Sequence, residues 1–373
     1  MGNATDHMIL GALVADAATM GLHWIYDQNQ IAKIAPDDPA FVAPDPAHYS
    51  GVPGYFAHAA RTNGQNSQYG EQLKVMRSAL AAGDGAFNAQ KFITAFQAHF
   101  GYGGAYVGYI DHATRESLNA YQAASAGALA KGRAVPWDGD PSVTHAMVTK
   151  ALALTQQFTG DTLRRKFEEA VRITHDADAT VAYGLKVLDE VVAMPPVTGA
   201  VDVQLPAIAK LPPLVAALSD EDDTTFAHTV ETAICLTSNH EASVAYGLAC
   251  ARMMRAALRT TDITAIMDAG LNGATEEVAA KLTSALSMKD QDTNTVTAHF
   301  GLACDLSYGV PSAVHTIATA PSFADAVRRN IYAGGDNCGR AILIGAIMGA
   351  VHGVAGPTGI PEDWLENHRS APC

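Results

Sequence analysis

The chain is short of positive charge. Its 373 residues include 24 lysines and arginines against 38 aspartates and glutamates, a formal net charge of −14. This surplus of negative charge repels phosphate backbones and anionic lipids, so we expect neither nucleic acid nor a membrane surface as a partner. Charged residues make up only 17% of the chain and hydrophobic residues 48%, which excludes general disorder and allows a sizeable buried core.

Cysteine is scarce and follows no pairing pattern. The five cysteines are an odd number and form no CxxC pair, which excludes a disulfide framework and a zinc knuckle. We therefore expect reduced thiols and a cytoplasmic location.

Several common signals are also missing. The first 18 residues lack the basic region of a secretory signal. The most apolar stretch, Ala341–Ala355, is too short to span a membrane and includes His352, so it predicts a buried helix. No P-loop, dinucleotide-binding fingerprint, GxSxG elbow or HExxH occurs, which removes the most common nucleotide-triphosphate, hydride-transfer, serine-hydrolase and zincin classes.

Apolar residues recur at helical spacing along most of the chain, and alternating strand patterns are nearly absent. We predict an all-α fold, one large helical domain over residues 1–373, because no linker separates differently composed halves. Clusters of proline and glycine predict loops at Ala35–Gly54, Gly101–Gly108, Pro195–Pro213 and Gly353–Pro361. The predicted helices are Met8–Met20, Tyr69–Ala82, Ala89–Phe100, Thr114–Ala130, Val143–Thr155, Thr162–Arg172, Ala179–Val192, Phe226–Leu236, Ser243–Leu258, Ile263–Leu271, Thr275–Ser287, Phe323–Asn330 and Cys338–Val351.

The strongest local signal is the glycine-rich turn within Tyr332–Gly353. Gly334 and Gly335 permit unusual backbone angles, and a helix of small residues follows. Free amides at that helix start would suit an anionic group. An ordinary helix capped by Asp336 or by the next residue, Asn337, explains the segment equally simply. Cys338 is a candidate nucleophile, since a helix N-terminus lowers the pKa of a thiol, although a buried inert cysteine is the alternative.

A polar loop, Thr62–Gln72, leads into another helix. Glu71 is a candidate general acid or base if it is buried. The alternative is that Asn66 or Ser67 caps the helix and that Glu71 merely complements the helix dipole.

Two more segments hold candidate substrate-binding groups. The apolar helix of Ile9–Asp27 contains Asp16, which needs a partner or a function if buried, and ends in His23, Trp24 and Asp27. His23 is a candidate acid or base, and its aromatic neighbours suit a flat substrate. The glycine-hinged loop of Gly101–Leu118, with Tyr109 and Asp111, could cover a site, although surface loops have the same composition.

The chain also contains an internal similarity. Ile173–Leu185 and Leu236–Leu248 both pass from a loop with threonine, histidine and an acidic residue into an A-[TS]-V-A-Y-G-L helix start. Two such helix entries could line one cleft, or Thr180 and Ser243 could simply be local helix caps.

Together these segments resemble the ADP-ribosylglycohydrolase family, and in particular its J1-crystallin-like branch. The resemblance spans essentially the whole chain, through GALVADAATM near the start, ITH near the middle, and GGDNCGRA and IPEDW near the end. It implies a single all-α domain of the orthogonal helical ADP-ribosylglycohydrolase type. It also implies His175 and Asp176, at the ITH segment, as candidates for the cleft rim, with His240 as a weaker second.

The resemblance further implies two magnesium ions that orient a ribose during hydrolysis. In this chain the family's Thr-Asp-Asp triplet falls on residues 64–66, which are Gly, Gln and Asn. The late Asp-x-Asp-Thr element keeps Asp336 but has Cys338 and Gly339 in place of the second Asp and the Thr. Magnesium requires hard oxygen ligands. We therefore expect no tight two-magnesium site, and magnesium remains a cofactor by resemblance alone.

These observations favour a hydrolase that cleaves a glycosidic or other C–N bond of a small molecule in a polar cleft. The alternatives are a magnesium-dependent ADP-ribosylhydrolase and a non-catalytic, crystallin-like binding protein. Monomer and homodimer both remain open. The candidate catalytic residues are Glu71, Asp336, His23 and Cys338; the substrate-binding candidates are Trp24, Asp27, Asn66, Ser67, Gln68, Tyr69, Tyr109, Asp111, His175, Asp176, Asn337 and Arg340.

Overall fold

The computed structural model describes residues 3–155 and 157–370, and these are built from α-helices. Within the described ranges the β-structure consists of isolated bridges, and no sheet forms. The all-α prediction is therefore confirmed. The helices are α1 Ala4–Thr19, α2 Gln28–Ile34, α3 Gln68–Ala82, α4 Ala89–Phe100, α5 His112–Ala134, α6 Pro141–Thr155, α7 Gly160–Arg172, α8 Asp178–Val192, α9 Pro206–Ala209, α10 Leu211–Ala217, α11 Asp223–Cys235, α12 Glu241–Ala257, α13 Ile263–Leu271, α14 Glu276–Ser287, α15 Thr293–Phe300, α16 Leu306–Thr319, α17 Phe323–Tyr332, α18 Asn337–His352 and α19 Glu362–Ser370.

Each predicted helix is present, and several short helices join them. The predicted loop Pro195–Pro213 is wrong in part, because it contains α9 and the start of α10. Both helices begin with proline in their first turn, where the missing N–H would have no helical partner in any case. Helix α16 was not predicted, since it carries Pro311 in its interior, normally a helix breaker.

The packing of α1 against α18 forms the centre of the molecule. A Cβ atom on Gly345 of α18 would overlap the carbonyl oxygen of Gly11 on α1, and Gly349 meets the His7 carbonyl in the same way. These small residues let the two backbones approach more closely than larger side chains allow. The stretch predicted as a buried helix is confirmed, because nearly all of α18 is buried. No helix in the described ranges is long and apolar enough to cross a membrane.

A second, smaller hydrophobic core lies apart from the main one. It is formed by α5 to α8 around residues such as Phe167, Val187 and Tyr183, whereas most other helices share the main core. The single domain over residues 1–373 stays a prediction.

Three elements meet beside the main core. The end of α1 with the 3₁₀ turn Met20–Leu22, the start of α3 and the start of α18 bring their polar residues together. This convergence defines the candidate site.

Candidate functional site

A hydrogen-bonded chain of Asp336, His23 and His58 lies in the interior. Asp336 Oδ1 accepts from His23 Nε2 at 3.0 Å, and His23 Nδ1 lies 2.7 Å from His58 Nε2. Asp336 Oδ2 accepts from the Tyr69 hydroxyl at 2.5 Å. All four side chains are buried. We call Asp336, His23 and His58 the Asp-His-His chain.

The glycine turn before α18 aims Asp336 at this chain. Gly334 and Gly335 have φ angles of +71° and +62°, a region that favours glycine. The Gly335 carbonyl accepts from the Trp24 amide at 2.9 Å, and the Asp336 amide donates to the Leu302 carbonyl at 2.9 Å. Asp336 also caps α18 by accepting from the Gly339 amide at 3.0 Å. Capping by Asp336 confirms one of the two predicted caps.

The proton arrangement of the chain follows from Asp336. Burial alone would raise the pKa of this carboxyl, but hydrogen bonds from His23, Tyr69 and Cys304 lower it below its ordinary value. An ionised Asp336 requires the proton of His23 to be on Nε2, so in a neutral His23 the Nδ1 atom accepts from His58 Nε2. His58 Nδ1 is then a buried lone pair, and it has no hydrogen-bond partner among the described residues.

The histidine pair does not have the spacing of a metal site. His23, His58 and Cys338 offer ligand atoms within 4.8 Å of one another. Two nitrogens on one tetrahedral zinc ion lie about 3.3 Å apart, given zinc–nitrogen bonds of about 2.0–2.1 Å. The 2.7 Å separation between His23 and His58 is that of a hydrogen bond.

Asp16 binds the segment that begins α3. Its Oδ2 accepts from the Asn66 side-chain amide at 3.0 Å and from the Ser67 amide at 2.9 Å, and its Oδ1 accepts from the Ser67 hydroxyl. Ser67 is the cap of α3, as one of the two alternatives predicts. Burial raises the pKa of Asp16 despite these donors. Both carboxylate oxygens are therefore occupied by protein donors.

Glu71 lies outside the Asp-His-His chain. Its Oε1 bonds Arg61 Nη2 at 2.6 Å and Lys74 Nζ at 2.9 Å, and its Oε2 bonds His99 Nε2 at 2.9 Å. Burial alone would raise the pKa of Glu71, but the bonds to His99 and Lys74 and the charge of Arg61 lower it to about 2. A carboxylate this acidic is ionised at neutral pH and is poorly suited to be a general acid.

The environment of Cys338 differs from the expected one. Cys338 is the second residue of α18, but it is fully buried, and burial together with Asp16 and Asp336 raises the pKa of its thiol. The prediction of a lowered pKa is wrong, because desolvation and two neighbouring acids outweigh the helix dipole.

Amide and guanidinium groups occur on residues close in sequence to Tyr69 and Asp336. Both side-chain polar atoms of Gln68 and the Oδ1 atom of Asn337 are buried without a hydrogen-bond partner in the described ranges. Arg340 bonds Asn330 through Nε at 2.9 Å and the Gly334 carbonyl through Nη2 at 2.5 Å, so it braces the glycine turn. Burial lowers the pKa of Arg340 to about 10.

Aromatic rings line one side of the site. Trp24 stacks on His23 with ring centroids 4.4 Å apart and meets Tyr109 edge to face at 5.0 Å. Tyr55 packs against both Trp24 and Tyr109 and is 57% exposed, so this group reaches the surface. The rings of Trp24, Tyr55 and Tyr109 offer a face for a flat group.

Asp111, which was also predicted to bind substrate, is buried and caps α5.

The sequence of this chain matches that of a known protein family. A sequence model of the family described as ADP-ribosylglycohydrolase matches residues 185–371, half of the chain. The chain belongs to the ADP-ribosylglycohydrolase family.

Relatives and a solved structure extend the likeness over nearly the full length. The chain is 25% identical to Crystallin J1A of Tripedalia cystophora over 360 residues, 96% of this chain and 89% of that protein. It is 36% identical to Crystallin J1B of the same organism over 102 residues, 26% of this chain and 28% of that protein. A solved structure described as an ADP-ribosylglycohydrolase-related protein complex has a TM-score of 0.52 and 15% identity, with 98% of this chain and 93% of that one covered. At that identity the structural match shows the fold alone.

The family match also bears on the internal similarity. Residues 185–371 include the second copy but not His175 and Asp176 of the first. Those two residues lie on the turn between α7 and α8, which pack with α5 and α6 around the smaller core. Their place at the cleft rim stays a prediction. In the second copy Thr237 is buried and accepts a hydrogen bond from Lys210. The N-cap of α8 in the first copy is Ala177, and the N-cap of α12 in the second copy is His240. Thr180 and Ser243 are therefore not the caps.

Two further placements concern single residues. Asp27 caps α2 through the Gln30 amide at 3.1 Å, a structural bond. His58, by contrast, belongs to the site although sequence analysis does not point to it, because its loop has neither helical periodicity nor a motif. The nearest segment that sequence analysis singles out is the polar loop Thr62–Gln72, which follows His58.

Proposed function

We propose that this family member is a hydrolase that cleaves a glycosidic or other C–N bond of a small polar molecule without a pair of magnesium ions. The observation that carries the proposal is the Asp-His-His chain, which ends in the Nδ1 atom of His58, an atom with no hydrogen-bond partner in the part of the chain that the structure describes. A buried lone pair without a partner is costly, so it suggests a role in binding or proton transfer.

The Asp-His-His chain suits general-base catalysis, in which a water molecule attacks the substrate. When His58 Nδ1 takes a proton from water, its Nε2 proton passes to His23 Nδ1, and the positive charge then rests beside Asp336. The hydroxide oxygen bonds to the substrate carbon as the C–N bond breaks. The proton on His58 Nδ1 then passes to the leaving nitrogen, and the proton on His23 Nδ1 returns to His58 Nε2, which restores the starting arrangement. Burial, the charge of a protonated His23 and the charge of Arg61 lower the pKa of His58, so the positive charge formed in this step is held on His23 and not on His58.

The donor set does not fit the two magnesium ions that the resemblance implies. Asp336 accepts from His23 and Gly339 on one oxygen and from Tyr69 on the other, and Asp16 is engaged by the start of α3. Magnesium would need several free oxygen ligands in an octahedron.

Turnover tests the proposal directly. Purified protein is incubated with a panel of nucleosides, N-glycosides and ADP-ribose, with EDTA in one arm and magnesium in the other. We expect turnover that EDTA leaves unchanged and that His58→Gln lowers about 100-fold or more, mainly in kcat. His315→Gln is the matched control, because His315 is equally buried but lies in α16. Activity that needs magnesium, or an active His58→Gln variant, would contradict the proposal.

The second candidate is a binding or structural protein without turnover. The likeness to Crystallin J1A over nearly the whole chain favours it. It is supported if nucleosides or ADP-ribose raise the melting temperature while no member of the panel is hydrolysed.

A further inference from the structure

A cavity of about 490 Å³ lies beside the start of α3. It is bounded by the loop before α3, by α3 and α4, and by the last helix, α19. Its volume is within the range of small-molecule sites. We call it the basic cavity, and its lining includes Arg61, Asn66, Glu71, Lys74, His99, His368 and Arg369.

Positive charge is concentrated in this cavity, in contrast to the chain as a whole. Three of the lining residues, Arg61, Lys74 and Arg369, carry formal positive charge, and Glu71 alone carries negative charge. The cavity therefore has a formal charge of +2 with both histidines neutral, in a protein of net charge −14. Basic residues are few in this chain, so three around one cavity are a marked local excess.

The geometry keeps two of these cations directed at the cavity. Arg61 uses Nε and Nη2 to bond the Asn66 carbonyl and Glu71, and its guanidinium lies over the Tyr106 ring at 4.9 Å. Within residues 3–155 and 157–370, its Nη1 has no hydrogen-bond partner, and Lys74 Nζ bonds Glu71 alone. The two side chains thus keep donor capacity while being oriented by Glu71.

The histidine at the rim experiences the same electrostatic environment. His368 Nε2 lies 3.0 Å from the Asn66 Oδ1 atom. Burial, together with the charges of Lys74 and Arg369, lowers the pKa of His368 to about 4. His368 is therefore neutral near pH 7, and Glu71, which bonds both Arg61 and Lys74, is the single acidic side chain among the described lining residues.

We propose that the basic cavity binds a small tetrahedral oxyanion, such as the phosphate group of a metabolite. The remaining N–H groups on Arg61 Nη1 and the ammonium of Lys74 would donate charge-assisted hydrogen bonds to the oxygens of such a group. The inference does not rest on the proposed hydrolysis, because none of the three cations is a member of the Asp-His-His chain, although the charge of Arg61 also acts on His58.

Calorimetric titration of the full chain with inorganic phosphate tests the inference. Sodium chloride keeps the ionic strength constant, since salt screens such contacts. Lys74→Gln combined with Arg369→Gln removes two charges from partly exposed side chains and should weaken phosphate binding about tenfold or more. Lys289→Gln combined with Arg133→Gln removes the same charge from exposed positions elsewhere and should leave binding unchanged.

The possible results separate clearly. Saturable phosphate binding that the first pair of substitutions weakens and the second pair does not supports the inference, and competition by sulfate would show that oxyanion geometry is what is recognised. Absence of saturable binding to the unmodified chain, or equal loss in both double variants, overturns it. Unchanged melting temperatures of the variants exclude misfolding as the cause.

Discussion

Replacing Glu71 by glutamine should destabilise the protein in a way that depends on pH. The folded state lowers the pKa of Glu71 from 4.5 to about 2, because cations surround a carboxylate that is only 7% exposed. A depressed pKa stabilises the fold above pH 4.5, and this contribution is lost as the pH falls towards 2. The shift corresponds to about 3 kcal/mol at pH 7 and about 1 kcal/mol at pH 3.

Urea unfolding followed by far-UV circular dichroism measures this contribution. The free energy of unfolding is determined for the unmodified chain and for Glu71→Gln at several pH values between 7 and 3. The difference between the two proteins should shrink by about 2 kcal/mol across that range. Glu190→Gln, on the exposed face of α8, serves as the control and should show a small, nearly constant difference.

Two outcomes would contradict a lowered pKa of Glu71. A difference that stays constant with pH would mean that Glu71 has similar pKa values in the folded and unfolded states. A difference that grows as the pH falls would mean that the folded state raises this pKa, as the general-acid hypothesis from the sequence requires.

Three other substitutions or reactions test the rest of the structure. Gly345→Ala places a methyl group against the backbone of α1 and should lower the free energy of unfolding by about 1–3 kcal/mol. The control is Gly127→Ala, whose Cβ would meet only a methyl group at 3.6 Å and which should stabilise the protein by up to about 1 kcal/mol. Urea titration of the two variants measures both effects. Cys338 should resist iodoacetamide in the native state while the half-exposed Cys235 is alkylated, as mass spectrometry of peptides would show, and rapid labelling of Cys338 would contradict its burial. Asp336→Ala leaves its buried donors unpaired and should cost about 2–4 kcal/mol in the same urea assay, so an unchanged midpoint would argue against the Asp-His-His chain.

Sequence periodicity predicts the long helices well, because an amphipathic or fully apolar pattern is a local property. It misses α15 and α19, which are short and polar, and α16, whose interior proline argues against a helix. In α16 the tertiary environment outweighs that local preference, since most of the helix is buried.

The site is predictable only in part, for a related reason. Asp336, His23 and Tyr69 were each expected at a cleft from their motifs, and the structure brings them into contact. His58 could not be found, because its role depends on a contact with His23 that no local pattern encodes. The two similar helix starts cannot be told apart in sequence, and only their packing distinguishes them. The first, which holds His175, belongs to helices of the smaller core, whereas the second has Thr237 hydrogen-bonded to Lys210.

The pairing of α1 with α18 has a consequence for how the protein is made. His23 and Asp336 are 313 residues apart, so their bond cannot form until the intervening chain has been synthesised and has left the ribosome. At about 5–20 residues per second, synthesis of the intervening chain takes roughly 15–60 s. Throughout that interval the apolar α1 lacks its principal partner, so the nascent chain is exposed to aggregation and to chaperones until α18 emerges.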